Sequence, residues 1–87
     1  MPRYLVERTF LGAPALSVDA VIERNNDDGV TWMHSYVDEE SGTMLCLYEA
    51  PNPEAIRRAA NHNDLPVDRI TRVRVLDPYS YTDRSSR

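Results

Sequence analysis

The sequence predicts an α+β domain of the ferredoxin-like kind: a four-stranded antiparallel sheet with two helices on one face, in the order β-α-β-β-α-β. Three observations carry this. Four runs rich in strand-forming residues lie near 3–10, 30–37, 43–50 and 69–76. Helix-patterned segments separate the first run from the second and the third from the last. The two middle runs are joined only by Asp38-Glu39-Glu40-Ser41-Gly42, a length that suits a hairpin and not a crossover.

The first strand contains Tyr4, Leu5, Val6, Thr9 and Phe10, and Gly12 and Pro14 end it. Ser17 then offers a hydroxyl to a free backbone N–H at a helix start. Val18, Val21 and Ile22 repeat as one helical stripe. That helix runs into Asn25-Asn26-Asp27-Asp28-Gly29, a terminator in which Gly29 is free to take positive φ. After the hairpin, Asn52 is the cap of a second helix, Pro53 fills its first position, and Glu54 faces the positive end of the helix dipole. Ile56, Ala59 and Ala60 form a small stripe that lets this helix lie close to a sheet, and Asn61 to Pro66 ends it. The last strand sets Ile70, Thr71, Val73 and Val75 against Arg72 and Arg74. Residues 1–77 are expected to form a single domain and residues 78–87 a flexible polar tail.

A chain of 87 residues has a thin core, so an uncovered apolar sheet face favours a homodimer. The net charge of -4 argues against nucleic acid as a partner. All ten basic residues are arginine, which excludes Schiff-base chemistry on lysine. A single cysteine cannot form an internal disulfide and points to a reducing, cytoplasmic setting. The N-terminal MPRYLVERTF lacks the apolar core of a secretion signal. No apolar run approaches the roughly 20 residues that span a bilayer, so a membrane is not an expected partner.

The candidate site lies in the hairpin WMHSYVDEESGTMLCLYEA. A five-residue loop sets Val37 opposite Thr43, Ser35 opposite Leu45, His34 opposite Cys46 and Trp32 opposite Tyr48. Directly opposed Cβ atoms lie about 5 Å apart, close enough for one ion to bridge an imidazole and a thiol. On this register Trp32, His34, Tyr36, Met44, Cys46 and Tyr48 make an aromatic and sulfur-rich open face. Met33, Ser35, Val37, Leu45, Leu47 and Glu49 pack beneath the helices. Imidazole and thiolate suit nickel, copper and zinc, with the phenol of Tyr36 or the carboxylate of Glu49 as further donors. A twofold dimer brings a second copy of each ligand. A register slip of one residue sends His34 and Cys46 to opposite faces. The ordinary reading stands beside this one: Cys46 as a small buried hydrophobe and His34 as a hydrogen-bonded sheet residue. His62 ends the second helix and reads as a surface histidine suited to the dipole there.

The segments PRYLVER, WMHSYV, CLYEAPNPEAIRRAA and LPVDRITRV resemble a family of small bacterial proteins whose best-known member is an actinobacterial nickel-binding, nickel-responsive protein. The resemblance covers roughly residues 2–77 and centres on His34-Ser35-Tyr36, the run from Cys46 through Pro51, and Pro66 to Val73. It implies a ferredoxin-like fold, a homodimer and binding of nickel or a similar divalent ion. Many members carry a histidine where this chain has Ala59. The function expected first is a small metal-binding protein with no catalytic residues, its metal held by His34 and Cys46 with Tyr36 and Glu49. The alternative is a small-molecule-binding domain or enzyme using the open face, with His34 as acid–base group. A plain dimerisation module is the third.

Overall fold

Alternation along the first strand buries Tyr4, Val6 and Arg8 and leaves Arg3, Leu5 and Glu7 half-covered, so the strand has one deep face and one shallow face. The computed structural model describes residues 1–9 and 17–79. Its elements are β1 (Arg3–Thr9), α1 (Val18–Asp27), β2 (Thr31–Asp38), β3 (Thr43–Glu49), α2 (Pro53–His62) and β4 (Arg69–Val73). The strands form one antiparallel sheet in the order β2-β3-β1-β4. The chain order β-α-β-β-α-β and the four-stranded antiparallel sheet are the ferredoxin-like arrangement expected from the sequence. Phe10, the Gly12 and Pro14 breakers and the tail beyond Tyr79 lie outside the described residues.

The two helices start differently. Asn52 Oδ1 accepts from the backbone N–H of Ala55 at 2.9 Å, and Pro53 follows at the first helical position. Ser17 heads α1, but its hydroxyl makes no cap bond; its carbonyl accepts from Val21 N at 3.0 Å instead. Of the expected stripe on α1, Val21 is buried while Val18 and Ile22 are exposed. Asn25 is the other buried residue of that helix.

The core lies between the helices and one face of the sheet. Tyr4, Val6, Cys46 and Tyr48 meet Val30, Ala55, Ile56 and Ala59, with Trp32, Met44 and Ile70 packed at the margin. Small alanines let α2 sit low over the strands, and Ile56 fills the space between them. Burying a side chain of that size contributes about 1.5–3 kcal/mol. β4 is shorter than the expected 69–76. Arg3, the first residue of β1, already pairs with Val73, so no partner strand remains for Val75 and Leu76, which are exposed.

Candidate functional site

Directly paired residues in an antiparallel sheet share a face. Under the helices lie Val6 with Cys46 and Ile70, Tyr4 with Tyr48 and Arg72, and Arg8 with Met44. On the opposite, open face lie Leu5 with Leu47 and Thr71, Arg3 with Glu49 and Val73, and Glu7 with Leu45 and Arg69. The expected assignment of faces in the third strand is therefore inverted. Leu45, Leu47 and Glu49 are on the open side, and Met44, Cys46 and Tyr48 are beneath the helices.

The hairpin register explains the inversion for His34. Asp38 is still in the ladder, opposite Thr43, so the loop has four residues and not five. Asp38 Oδ1 accepts from the backbone N–H of Glu40 at 3.1 Å and of Ser41 at 3.4 Å, and its carbonyl accepts from Gly42 N at 2.9 Å. An aspartate that binds its own turn closes it one residue early. Gly42, with φ 73°, supplies the left-handed step back into β3. The Ser41 hydroxyl, followed by the Ser41 and Glu40 backbone N–H groups, holds the Asp38 carboxyl below its ordinary pKa.

The pairing consequently runs Asp38 with Thr43, Val37 with Met44, Tyr36 with Leu45, Ser35 with Cys46 and His34 with Leu47. Met33 is then an extra residue, a bulge, after which Trp32 meets Tyr48 as expected. The Trp32 indole N–H donates to Ser35 Oγ at 2.8 Å across the bulge and fastens it. The predicted opposition of His34 and Cys46 does not form. His34 is exposed on the open face, and Cys46 is fully buried on the other with Val6 and Ser35 as cross-strand neighbours. A sheet stands between imidazole and thiol, so one ion cannot bridge them.

What gathers around His34 is different. The Tyr36 ring meets the His34 ring edge-on, with centroids 5.3 Å apart and planes at 84°. Leu45, Leu47 and Leu5 supply an apolar floor on the same face. Glu49 and Glu7 are held at its edge by arginines: Arg3 Nε to Glu49 Oε2 at 3.1 Å, and Arg69 Nε to Glu7 Oε2 at 3.8 Å. Among the described residues, no three His, Cys, Asp or Glu side chains come together as a metal cluster. The donors of one subunit do not by themselves fit a resident ion. His62 sits away from this face, with Nδ1 2.7 Å from Asp28 Oδ2, and joins the ends of the two helices.

A second polar group was not expected from the sequence. Arg8 is 3% exposed beneath the helices; its Nη1 donates to Tyr48 Oη at 3.2 Å, and its Cζ lies 5.8 Å from the Tyr48 ring centre. Burial pushes the Tyr48 hydroxyl up to about 12, against the opposing pull of the Arg8 charge. Asn25, 2% exposed, and Asn63 lie alongside. The signal for Arg8 is its phase: it follows Tyr4 and Val6 at steps of two and so takes the same buried face.

No helix among the described residues is long and apolar enough to cross a membrane. No curated protein matches the chain. The crystal structure of SCO4226 from Streptomyces coelicolor A3(2) matches with a TM-score of 0.69 and 21% sequence identity, covering 86% of this chain and 99% of that one. At that identity the likeness speaks to the fold. The sequence pattern described as "Nickel responsive protein SCO4226-like" matches residues 4–73. That span is most of the chain, and the protein therefore belongs to the SCO4226-like family of nickel-responsive proteins.

Proposed function

We propose that this chain is a divalent-metal-binding protein, nickel first, that works in the cytoplasm as a homodimer paired through its open sheet face. In this reading His34 of each subunit donates to a shared ion. Family membership supports the choice of metal. The observation that carries the location is the exposed imidazole of His34, standing beside Tyr36 on an apolar sheet face. A twofold axis through that face supplies the second imidazole that a single subunit lacks. Imidazole is a good ligand for nickel, and the Tyr36 phenol and the Glu49 carboxylate flank it as secondary donors. Glu49 joins only by leaving Arg3. Cys46 is a core residue in this scheme, with no part in the ion's first shell of donors.

Nickel titration of protein purified without a histidine tag tests the reading, by calorimetry alongside sedimentation. A single ion shared by the subunit pair is expected, with no thiolate-to-nickel charge-transfer band. His34→Ala should weaken binding at least about tenfold, since even outer-sphere partners of a metal ligand are worth that much. His62→Ala should leave binding unchanged. Affinity that survives in His34→Ala, or that disappears in Cys46→Ala instead, overturns the assignment.

A further inference from the structure

Arg8, Asn25, Tyr48 and Asn63 line one small cavity between the sheet and the two helices, together with Val30, Ile56 and neighbouring apolar groups. Its volume is about 10 Å³, room for one water-sized occupant. Two of the lining residues each carry a side-chain atom buried without a hydrogen-bond partner: Arg8 Nε and Asn25 Nδ2. Both are donors.

The orientation of Asn25 is fixed by its neighbours. The Ala59 carbonyl only accepts, so the Asn63 atom 3.0 Å from it is Nδ2. The same Nδ2 lies 3.1 Å from the Asn25 side chain, which must present Oδ1 there. Asn63 Oδ1 in turn accepts from Arg24 Nη1 at 3.4 Å. Asn25 Nδ2 is thereby turned away from Asn63 and left without an acceptor.

Charge narrows the occupant further. A buried guanidinium is costly unless its charge is compensated. The ion pairs among the described residues join Arg3, Arg58, His62 and Arg69 to carboxylates, and Arg8 is in none of them. The Tyr48 hydroxyl is neutral at physiological pH because burial disfavours its anion, so no phenolate supplies the missing charge. The ring face of Tyr48 offers the guanidinium a partial partner at 5.8 Å.

We propose that this cavity is a binding site for a small monatomic anion, chloride in the cell, held between Arg8 Nε and Asn25 Nδ2. Two unpartnered donors and a positive charge with no carboxylate partner among the described residues call for an acceptor that is itself negative. The volume excludes sulfate, phosphate and carboxylate ligands, which need several times the room. The anion pins α1 to β1, so its effect is on the stability of the fold and is independent of any metal on the far side of the sheet.

The test uses the full chain melted in sodium gluconate, chloride, bromide and sulfate at matched ionic strength. A saturable rise of about 8 °C in chloride and bromide, absent in gluconate and sulfate, is expected when halide exceeds its dissociation constant about tenfold. Crystals grown in bromide should show an anomalous peak between Arg8 Nε and Asn25 Nδ2. Asn25→Asp keeps an oxygen toward Asn63 and places a carboxylate oxygen where the ion sits. This variant should melt in gluconate at or above the wild-type midpoint in chloride and should lose its halide dependence. Equal midpoints in all four salts overturn the proposal, with a water alone filling the site. So does a halide effect whose bromide peak lies elsewhere, or an Asn25→Asp variant that is destabilised and still halide-sensitive.

Discussion

The two faces of this sheet are built from the same four strands and have opposite chemistry. The face beneath the helices holds Val6, Cys46, Tyr48 and the buried Arg8. The open face holds His34, Tyr36 and a leucine floor, edged by arginine–carboxylate pairs. The soft thiol is on the side where an ion cannot reach it, and the imidazole is on the side where it can. Residue inventory therefore does not locate a site in a β-hairpin. The phase of each strand relative to the pleat does, and one inserted residue resets that phase.

The largest contrast between the faces is energetic. Ile56→Ala, at a residue 2% exposed under the helices, should cost about 3 kcal/mol, because it removes buried methylenes and leaves a cavity. Leu45→Ala on the open face, where the side chain is half-buried, should cost less than that in dilute protein. Urea denaturation at two protein concentrations separates the effects. The Leu45 variant should gain a further penalty at the higher concentration, through weakened self-association. A large, concentration-independent loss in Leu45→Ala would remove the distinction between the faces.

The next contrast concerns protons. Tyr48 is pushed up to about 12 from an ordinary 10.0, chiefly by burial. Above pH 10 the unfolded chain ionises this phenol while the folded chain keeps it neutral. Its contribution to stability is thus fully present below pH 10 and is lost as pH rises toward about 12. The total is about 2–3 kcal/mol, the worth of a two-unit difference. Tyr48→Phe should flatten that alkaline limb in a denaturation series against pH.

The thiol comes third. Cys46 is wholly buried between Val6 and Ser35, so a thiol reagent should modify it only as fast as the protein unfolds. Cys46→Ala should cost about 1 kcal/mol, a small cavity, and should leave nickel affinity at the wild-type value. Rapid modification of the native protein would place the sulfur at a surface and reopen its candidacy as a ligand.

Much of the fold is legible in the sequence because its signals are local. Asn52-Pro53-Glu54 announces α2, Gly29 and Gly42 mark their turns at φ 74° and 73°, and the hairpin is too short for a crossover. The candidate site was legible only in part, because its placement depends on register. Both faces of β3 are apolar, so the hydrophobic pattern cannot choose between phases. The choice was made by Asp38, which binds its own turn and shortens the loop, and by Met33, which restores the Trp32–Tyr48 pair. A loop-length argument sees neither. Arg8 and Asn25 are a different case. The two-residue period places Arg8 under the helices, but a charge on a strand reads as exposed until its burial is seen.

The smallest expected effect is the sharpest test of the register. Because Met33 has no ladder partner, deleting it joins Trp32, opposite Tyr48, directly to His34, opposite Leu47. Every residue after the bulge keeps its face, and the ladder becomes regular. The deletion should therefore cost less than about 1 kcal/mol, the loss being limited to the exposed Met33 side chain and the Trp32–Ser35 hydrogen bond. Nickel affinity should be that of the wild type, because His34 still projects from the open face. Deleting Ser41 from the turn makes a useful opposite. There the loop cannot close on Asp38 as it does now, and a slipped hairpin would carry His34 toward the helices. Amide exchange and a nickel titration on both deletions give the comparison. If the Met33 deletion unfolds the hairpin or abolishes the metal response while the Ser41 deletion leaves both intact, the bulge does not set the phase of β2 and the separation of imidazole from thiol has another origin.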